Sequence, residues 1–388
     1  MIPINYNLRN LAVRTTTTAA AGLGMALVVF VVAAVMMLNN GIRKTLGRTA
    51  DPSSAVIIRK GSDNELASSI EEPNVGLVMS TPGVSHGSDG VPQGVGELLV
   101  VILLDKVGTD GFSNVQVRGV PDNALKFHDQ AHLIAGRPPQ PGTDEVIVGR
   151  GIRGRFKGVE LSQAFELKKN RMVSVVGVFE DGGSSFESEI WADLNTVRTA
   201  FGREGLVSSV RVHLESPSKF DGFKASLEQN RQLGLEAQRE SEYYEKQSQG
   251  LSIFITALGS VIAFFFFIGA VIGATITMYA SVANRQREIG TLRALGFSRR
   301  SIIMSFLMES TLLALVGGGV GALASLALGF VKFSMMNFQS WSEIVIAFEP
   351  NFASIGVAIL VAGVMGLFGG FLPAIRAARM SPVEAMRA

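Results

Sequence analysis

Hydrophobic positions in this sequence fall into two regimes. Four long apolar runs occupy residues 17–38, 251–283, 301–333 and 351–373. Each is long enough to cross a bilayer as a helix, which takes about 20 residues. The second and third exceed the hydrocarbon thickness, so they are expected to tilt or to project beyond it. Between the first and second runs the pattern changes to short alternating stretches. Ala55–Arg59, Glu97–Leu104, Val115–Val120, Glu145–Val148, Met172–Phe179 and Val207–Leu214 read as strands. Lys168, Lys169 and Asn170 read as a hairpin turn, Asp193–Phe201 and Lys219–Asn230 as helices. Gly- and Pro-rich loops separate these elements, as at His86–Gly96 and Gly136–Gly142. The predicted class is an α-helical membrane protein with four transmembrane helices and a mixed α+β extracytoplasmic domain.

Charge orients the spans. Arg9 and Arg14 precede the first; Arg285, Arg287, Arg293, Arg299 and Arg300 lie between the second and third; Arg376, Arg379 and Arg387 follow the fourth. Residues 334–350 carry Glu343 and Glu349 but no Lys or Arg. Retention of basic residues on the inner side then places both termini in the cytoplasm. The expected order is a cytoplasmic interfacial helix at 1–16, the first span, an extracytoplasmic domain at 39–250 ending in a stalk, the second span, and a cytoplasmic helix at 284–300. The third span, an extracytoplasmic hairpin at 334–350, the fourth span and a cytoplasmic tail at 374–388 complete it. Ile4, Leu8 and Leu11 stand at helical spacing beside two arginines, which suits a helix lying on the inner leaflet. The first apolar run is too long for a signal-peptide core, and Asn39, Asn40 and Gly41 follow it rather than a small-residue cleavage site, so an uncleaved helix is expected.

Composition adds exclusions. Hydrophobic residues make up 47% of the 388, net charge is +2, and there is no cysteine, so disulfides and thiolate metal sites are ruled out. No Gly-Lys pair occurs, so no phosphate-binding loop of the Gly-Lys-Ser/Thr type is present in these residues. His128 and His132 stand four apart without a third metal ligand and are read as surface residues; Asp181, Glu187 and Glu189 flank a Gly-Ser loop and are read as solvated. No catalytic constellation, cofactor site or metal site emerges.

The stretch NRQREIGTLRALGFSRR, between the second and third spans, is too short for a domain and too polar for lipid. Ile289, Leu292 and Leu295 fall near one helical face, Arg285, Arg287, Glu288 and Arg293 are available for ion pairs, and Gly296 can end the helix at positive φ. Gly317, Gly318, Gly319, Gly321 and Ala324 crowd the third span, where small residues permit close helix packing, within the chain or in a dimer. Glu309 is an intramembrane charge near the cytoplasmic end, where Arg299, Arg300 or headgroup water could satisfy it.

These motifs resemble the MacB/FtsX/LolC superfamily, the type VII ABC transporter permeases. Arg287-Glu288-Ile289-Gly290 and Arg293-Ala294-Leu295-Gly296 match its cytoplasmic motif. Pro373-Ala374-Ile375-Arg376 with Ser381-Pro382-Val383-Glu384 matches its C-terminal signature, and Gly136-Arg137-Pro138 followed by Glu145-Val146-Ile147-Val148-Gly149 resembles its outer domain. The resemblance implies a coupling helix, built from Arg285, Arg287, Glu288, Ile289, Gly290, Arg293, Ala294, Leu295 and Gly296, that docks on an ABC ATPase subunit. The chain itself would not be an enzyme; ATP and Mg would be bound by that partner. A second permease copy, as homodimer or heterodimer, and a periplasmic adaptor or envelope cargo complete the implied partners, with the lipid bilayer and without nucleic acid. The implied function is mechanotransmission in the bacterial inner membrane, in tripartite efflux or envelope export. Lipoprotein extraction, or signalling and scaffolding without transport, are the alternatives.

Overall fold

In the computed structural model, which describes residues 15–230 and 233–381, the four apolar runs fall on long helices, the third ending at Phe330, short of the expected 333, because Lys332 and Phe333 enter a strand. In chain order the helices are α1 (Thr15–Thr49), α2 (Glu72–Met79), α3 (Ala124–Phe127), α4 (Leu194–Phe201), α5 (Phe220–Gln229), α6 (Glu240–Asn284), α7 (Gln286–Ala294), α8 (Arg299–Leu326) and α9 (Phe352–Arg379). The strands are β1 (Ser54–Arg59), β2 (Ile70–Glu71), β3 (Gly94–Asp105), β4 (Phe112–Val120), β5 (His132–Gly136), β6 (Glu145–Gly149) and β7 (Ala164–Lys168). They continue with β8 (Arg171–Glu180), β9 (Glu189–Asp193), β10 (Leu206–Val207), β11 (Ser209–His213), β12 (Leu235–Arg239), β13 (Lys332–Asn337) and β14 (Ser342–Ala347). The cytoplasmic interfacial helix expected at 1–16 falls almost wholly outside the described residues.

The chain divides into two units. Among the described residues, one gathers those up to Gly41, Ile253–Val331 and those from Ala347 to Ser381; the other gathers those in Ile42–Ser252 and Lys332–Ile346. The helical unit packs around small side chains. Met25, Val29 and Ala33 of α1, Leu313 and Ala314 of α8, and Ala358 and Ala362 of α9 form its buried centre. The small residues of α8 are used within the chain. A Cβ on Gly317 would lie 2.6 Å from the Gly22 carbonyl oxygen, one on Gly318 2.5 Å from Ala362 Cβ, and one on Gly321 would strike the Ala26 carbonyl. Without side chains at these points the backbones of α1, α8 and α9 approach closely, which is how helices gain dispersion energy where apolar solvent offers no hydrophobic drive.

Helix α1 runs past the end of the first apolar run, through Asn39, Asn40 and Gly41, to Thr49. The two asparagines stay helical because their side chains find partners: Asn39 Nδ2 donates to Thr256 Oγ1 at 2.8 Å and Asn40 Nδ2 to Ser354 Oγ at 3.0 Å. Pro373 lies inside α9. Lacking an N–H, it leaves the carbonyl of Gly369, four residues earlier, without its helical donor. That carbonyl faces Thr275 Oγ1 of α6 at 3.2 Å, a hydroxyl it shares with the Val271 carbonyl.

The second unit is built on a ten-stranded sheet in the order β12-β1-β11-β3-β4-β9-β6-β8-β5, with β7 added beside β8. The long strand β3 joins two cores. Its first half pairs with β11 and its second half with β4. One core packs β1, β11 and β12 against α2 and α5, through Ile57, Val210, Val212, Phe220, Phe223 and Leu227. The other packs β3, β4, β6, β8 and β9 against α4, through Val100, Val117, Val148, Val175, Ile190 and Val197. The turn at Lys168–Asn170 joins β7 to β8 as expected, with Asn170 at φ 66°. The expected strand Val207–Leu214 is instead broken at Ser208. Its amide donates to the Glu97 carbonyl and its hydroxyl accepts from Leu99 N–H, so β10 pairs with β2 while β11 enters the large sheet.

Hairpin β13–β14 belongs to this sheet-bearing unit although it connects two apolar helices. Glu343 ties it down by ion pairs to Lys106, at 3.0 Å, and Arg155. Asn114 Nδ2 donates to the Trp341 carbonyl at 2.7 Å, and Val345 N–H to Ser188 Oγ at 3.0 Å.

Candidate functional site

The stretch from Asn284 to Arg300 forms a helix bounded by two distinct breaks. Helix α6 ends at Asn284, and Arg285 leaves helical geometry at φ −117°, ψ 17° before α7 begins. At the far end Gly296 takes φ 92°, its N–H bonds the Arg293 carbonyl, and Phe297 N–H bonds the Leu292 carbonyl. This 6→1 and 5→2 pattern is the Schellman closure that a glycine after a helix favours. Ser298 then caps α8, its hydroxyl accepting from Ser301 N–H at 3.2 Å. Helix α7 is therefore a short helix between two turns, of which the sequence anticipated the one at Gly296.

The faces of α7 divide differently from the sequence expectation. Ile289 and Gly290 are buried, Ile289 among Met278, Val282, Ile302, Phe306 and Ala374. Leu292 and Arg293 are half-buried, and Arg293 Nη1 donates to the Phe297 carbonyl at 3.1 Å. The outward surface carries Arg287, Glu288, Thr291, Ala294 and Leu295, the last 73% exposed. Ile289 thus anchors the helix to its own bundle, while Leu295 is an exposed apolar group on its surface. Arg285 is buried rather than displayed. Its Nη1 lies 2.9 Å from Glu309 Oε2, so Glu309 pairs with Arg285 and not with Arg299 or Arg300. In the C-terminal motif, Pro373 and Arg376 lie within α9, the latter with its guanidinium 5.5 Å from the Tyr279 ring centre on α6; Pro382 and Glu384 lie outside the described residues.

A second constellation occupies the sheet-bearing unit at the first turn of α6, the expected stalk. Alternation along each strand and the register between strands collect charges in neighbouring positions on one face of the sheet. Val95 is opposite Arg211, Glu97 opposite Ser209, Leu99 opposite Arg118, and Gln116 opposite Glu189. Arg118 and Arg211 are 1% and 0% exposed. Arg118 grips Glu189 with two nitrogens, at 2.7 and 2.8 Å, and reaches Glu97 at 2.7 Å. Arg211 reaches Glu97 at 3.1 Å and Glu65 at 2.9 Å, and pairs with Glu240 at the head of α6. Tyr244 accepts from Arg211 Nη2 at 3.0 Å, and Tyr243 accepts from Glu65 N–H at 3.2 Å. Such forks satisfy several donors at once, which buried guanidinium groups require.

The carboxylates of this network titrate apart. Burial opposes ionisation of Glu97, but Arg118, His128 and Arg211 outweigh it and hold the group well below the usual range. Burial likewise opposes ionisation of Glu65, and Arg211 and Arg118 again prevail. Glu189 has one guanidinium rather than two, and there burial wins and pushes it up. Burial also raises Glu240 and Asp181.

Two sequence readings change here. His128 is not a surface residue: it is buried, with Nε2 2.8 Å from Glu97 Oε1 and its ring 4.8 Å from that of Phe186. His132 is exposed and pairs with Glu180. Asp181 and Glu189 are buried rather than solvated. None of Glu65, Glu97, Arg118, Arg211 or Glu240 was singled out from the sequence. The available signal was a lone charge at an alternating position inside an apolar strand, as in VGELLVV, VQVRGV and SVRVH. Among the described residues no group of three or more His, Cys, Asp or Glu is placed to hold a metal ion.

Known proteins match both parts of the chain. Residues 18–230 match the MacB-like periplasmic core domain and residues 260–382 the FtsX-like permease C-terminal region. Over 225 residues the chain is 29% identical to the uncharacterized ABC transporter permease YknZ of Bacillus subtilis (strain 168), covering 55% of this chain and 54% of the relative. Over 231 residues it is 29% identical to the macrolide export ATP-binding/permease protein MacB of Escherichia coli (strain K12), covering 56% of this chain and 34% of the relative. The match thus spans about half, or a third, of these curated relatives. The solved extracellular domain of YknZ from Gram-positive bacteria aligns with TM-score 0.35 and 17% identity, over 48% of this chain and 99% of that one. The periplasmic region of MacB from Actinobacillus actinomycetemcomitans aligns with TM-score 0.38 and 11% identity, over 51% and 94%.

Proposed function

The chain belongs to the MacB/FtsX-like family of ABC transporter permeases, and from that premise we propose that it is the mechanical half of a type VII transporter. In this reading a separate ABC ATPase docks on the outward face of α7, on Arg287, Glu288, Thr291 and Leu295. ATP-driven closure of two such permeases draws their α7 helices together. The observation that carries the reading is α6, a single helix of 45 residues. Its first turn is held by the buried charge network through Glu240, Tyr243 and Tyr244, and its last residue adjoins Arg285. A continuous helix converts displacement at one end into displacement at the other without a compliant joint.

The permease lies in the bacterial inner membrane with both termini cytoplasmic and the sheet-bearing unit extracytoplasmic. ATP and Mg are bound by the partner ATPase in this reading, in keeping with the lack of a Gly-Lys pair in these 388 residues. The relatives named for macrolide export support efflux or envelope export, with lipoprotein extraction, or signalling and scaffolding without transport, as the alternatives. The work is done on a periplasmic adaptor or cargo by the moving outer domains of a homodimer or heterodimer.

Gentle isolation from the native membrane, followed by mass spectrometry of what accompanies the chain, tests this. An ABC ATPase is expected in the complex, with an adaptor or outer-membrane channel. If no ATPase accompanies the chain at native expression in mild detergent, the transporter reading fails.

A further inference from the structure

Arg285 occupies the one residue between α6 and α7, and its side chain is held from three directions. Nη1 meets Glu309 Oε2 of α8 at 2.9 Å. The guanidinium carbon lies 5.3 Å from the centre of the Phe306 ring, one turn before Glu309 on the same helix. Nε meets Glu288 Oε2 of α7 at 3.1 Å. Ser281, one turn before Arg285 on α6, directs its hydroxyl toward Glu309 Oε1 at 3.5 Å. Arg285 and Glu309 are both buried, at 8% and 4% exposure. A guanidinium presents a planar fork and an apolar face at once, which a lysine ammonium does not.

We propose that Arg285 and Glu309 are positioning residues for the coupling helix: their ion pair pins the α6–α7 break to α8, so that α7 moves together with α8 instead of swinging about Arg285. A break in the backbone is otherwise a hinge, because the helical hydrogen-bond ladder is interrupted there. The side chain of the break residue removes that freedom by joining it to the i and i+3 positions of a neighbouring helix, Phe306 and Glu309. This assigns the intramembrane carboxylate a mechanical role in place of proton or substrate handling. The proposal rests on the reading of α7 as the ATPase contact but concerns only contacts within this chain.

The absence of cysteine allows a single reporter. In the full chain, Thr291→Cys places a spin label on the outward face of α7, and the labelled protein is reconstituted in lipid nanodiscs. The parent is expected to give a slow-motion spectrum. Glu309→Gln and Arg285→Gln are each expected to shift it to a fast component, with label rotation at least threefold faster. Arg285→Lys, which keeps charge but loses the fork, should fall between. The reciprocal exchange, Arg285→Glu with Glu309→Arg, should restore the slow component, which a role in shape alone would not. Unchanged spectra in both single variants overturn the proposal. So does an exchange variant as mobile as the singles, provided its circular dichroism matches the parent. Because the spectrum needs no ATPase, a slow, charge-dependent α7 in a chain that binds no ATPase would uphold the pin and reject the docking surface.

Discussion

At the scale of single residues, what distinguishes the sheet-bearing unit is that four carboxylates and two guanidiniums share one buried patch. Arg118 serves Glu189, Glu97 and Glu65 together. Arg118→Gln leaves these acids short of a partner in a dry environment, and is expected to destabilise the unit by about 3–5 kcal/mol, the range for breaking a buried pair from one side. Chemical denaturation followed by Trp191 fluorescence, from a ring buried against Glu189, measures it. The same patch sets a pH dependence. Glu189, Glu240 and Asp181 have folded-state values above their ordinary ones. The folded chain therefore binds protons that the unfolded chain releases, and stability rises as pH falls from neutral toward the ordinary carboxylate range. Glu65 and Glu97 are shifted the other way, so their contribution is full above their ordinary value of 4.5 and is lost as pH falls through their folded values. Stability should thus peak on the acid side of neutrality. Glu189→Gln should flatten the rising limb between neutral and mildly acid pH while leaving the acid limb in place. Denaturation midpoints across a pH series would read both limbs, and an unaltered rising limb would remove Glu189 from the account.

At the scale of elements, close backbone approach decides which glycines matter. Gly321 of α8 has no room for a side chain beside the Ala26 carbonyl, whereas Gly319 has nothing within 4 Å of where a Cβ would stand. Gly321→Leu is expected to break the α1–α8 contact and lower the thermal midpoint in detergent by many degrees. Gly319→Ala should leave it unchanged or raise it slightly, since alanine is the better helix former. If both variants melt alike, the packing account of the α8 glycines is wrong. The periodic pattern revealed that α8 is rich in small residues. It did not distinguish inward from outward ones, because that depends on where α1 and α9 lie.

At the scale of the whole molecule, the proposed function gives two sets of charges different work: exposed ones on α7 for a partner, buried ones for transmission. Reversing Arg287, exposed on α7, should cost ATPase association at least tenfold in a pull-down while folding and insertion stay intact. Arg118→Gln should spare that association and weaken ATP-driven transport, since it acts at the other end of α6. Loss of ATPase binding in the Arg118 variant, with the chain still folded and inserted, would contradict the division.

The sequence by itself determined the four apolar helices, the presence of a mixed α+β unit, the break at Gly296 and the family. Each follows from local rules: run length, alternation, the conformational freedom of glycine, and short motifs such as Arg287-Glu288-Ile289-Gly290. Only the tertiary structure decided which residues meet. Arg285 and Glu309 are joined across two helices, and Glu97 and Arg211 across two strands far apart in sequence. Hairpin β13–β14 joins the sheet-bearing unit through Glu343, although its neighbours in the chain are apolar helices. Periodicity specifies the face on which a side chain stands. The partner on that face is set by sheet register and helix packing, which depend on the chain as a whole.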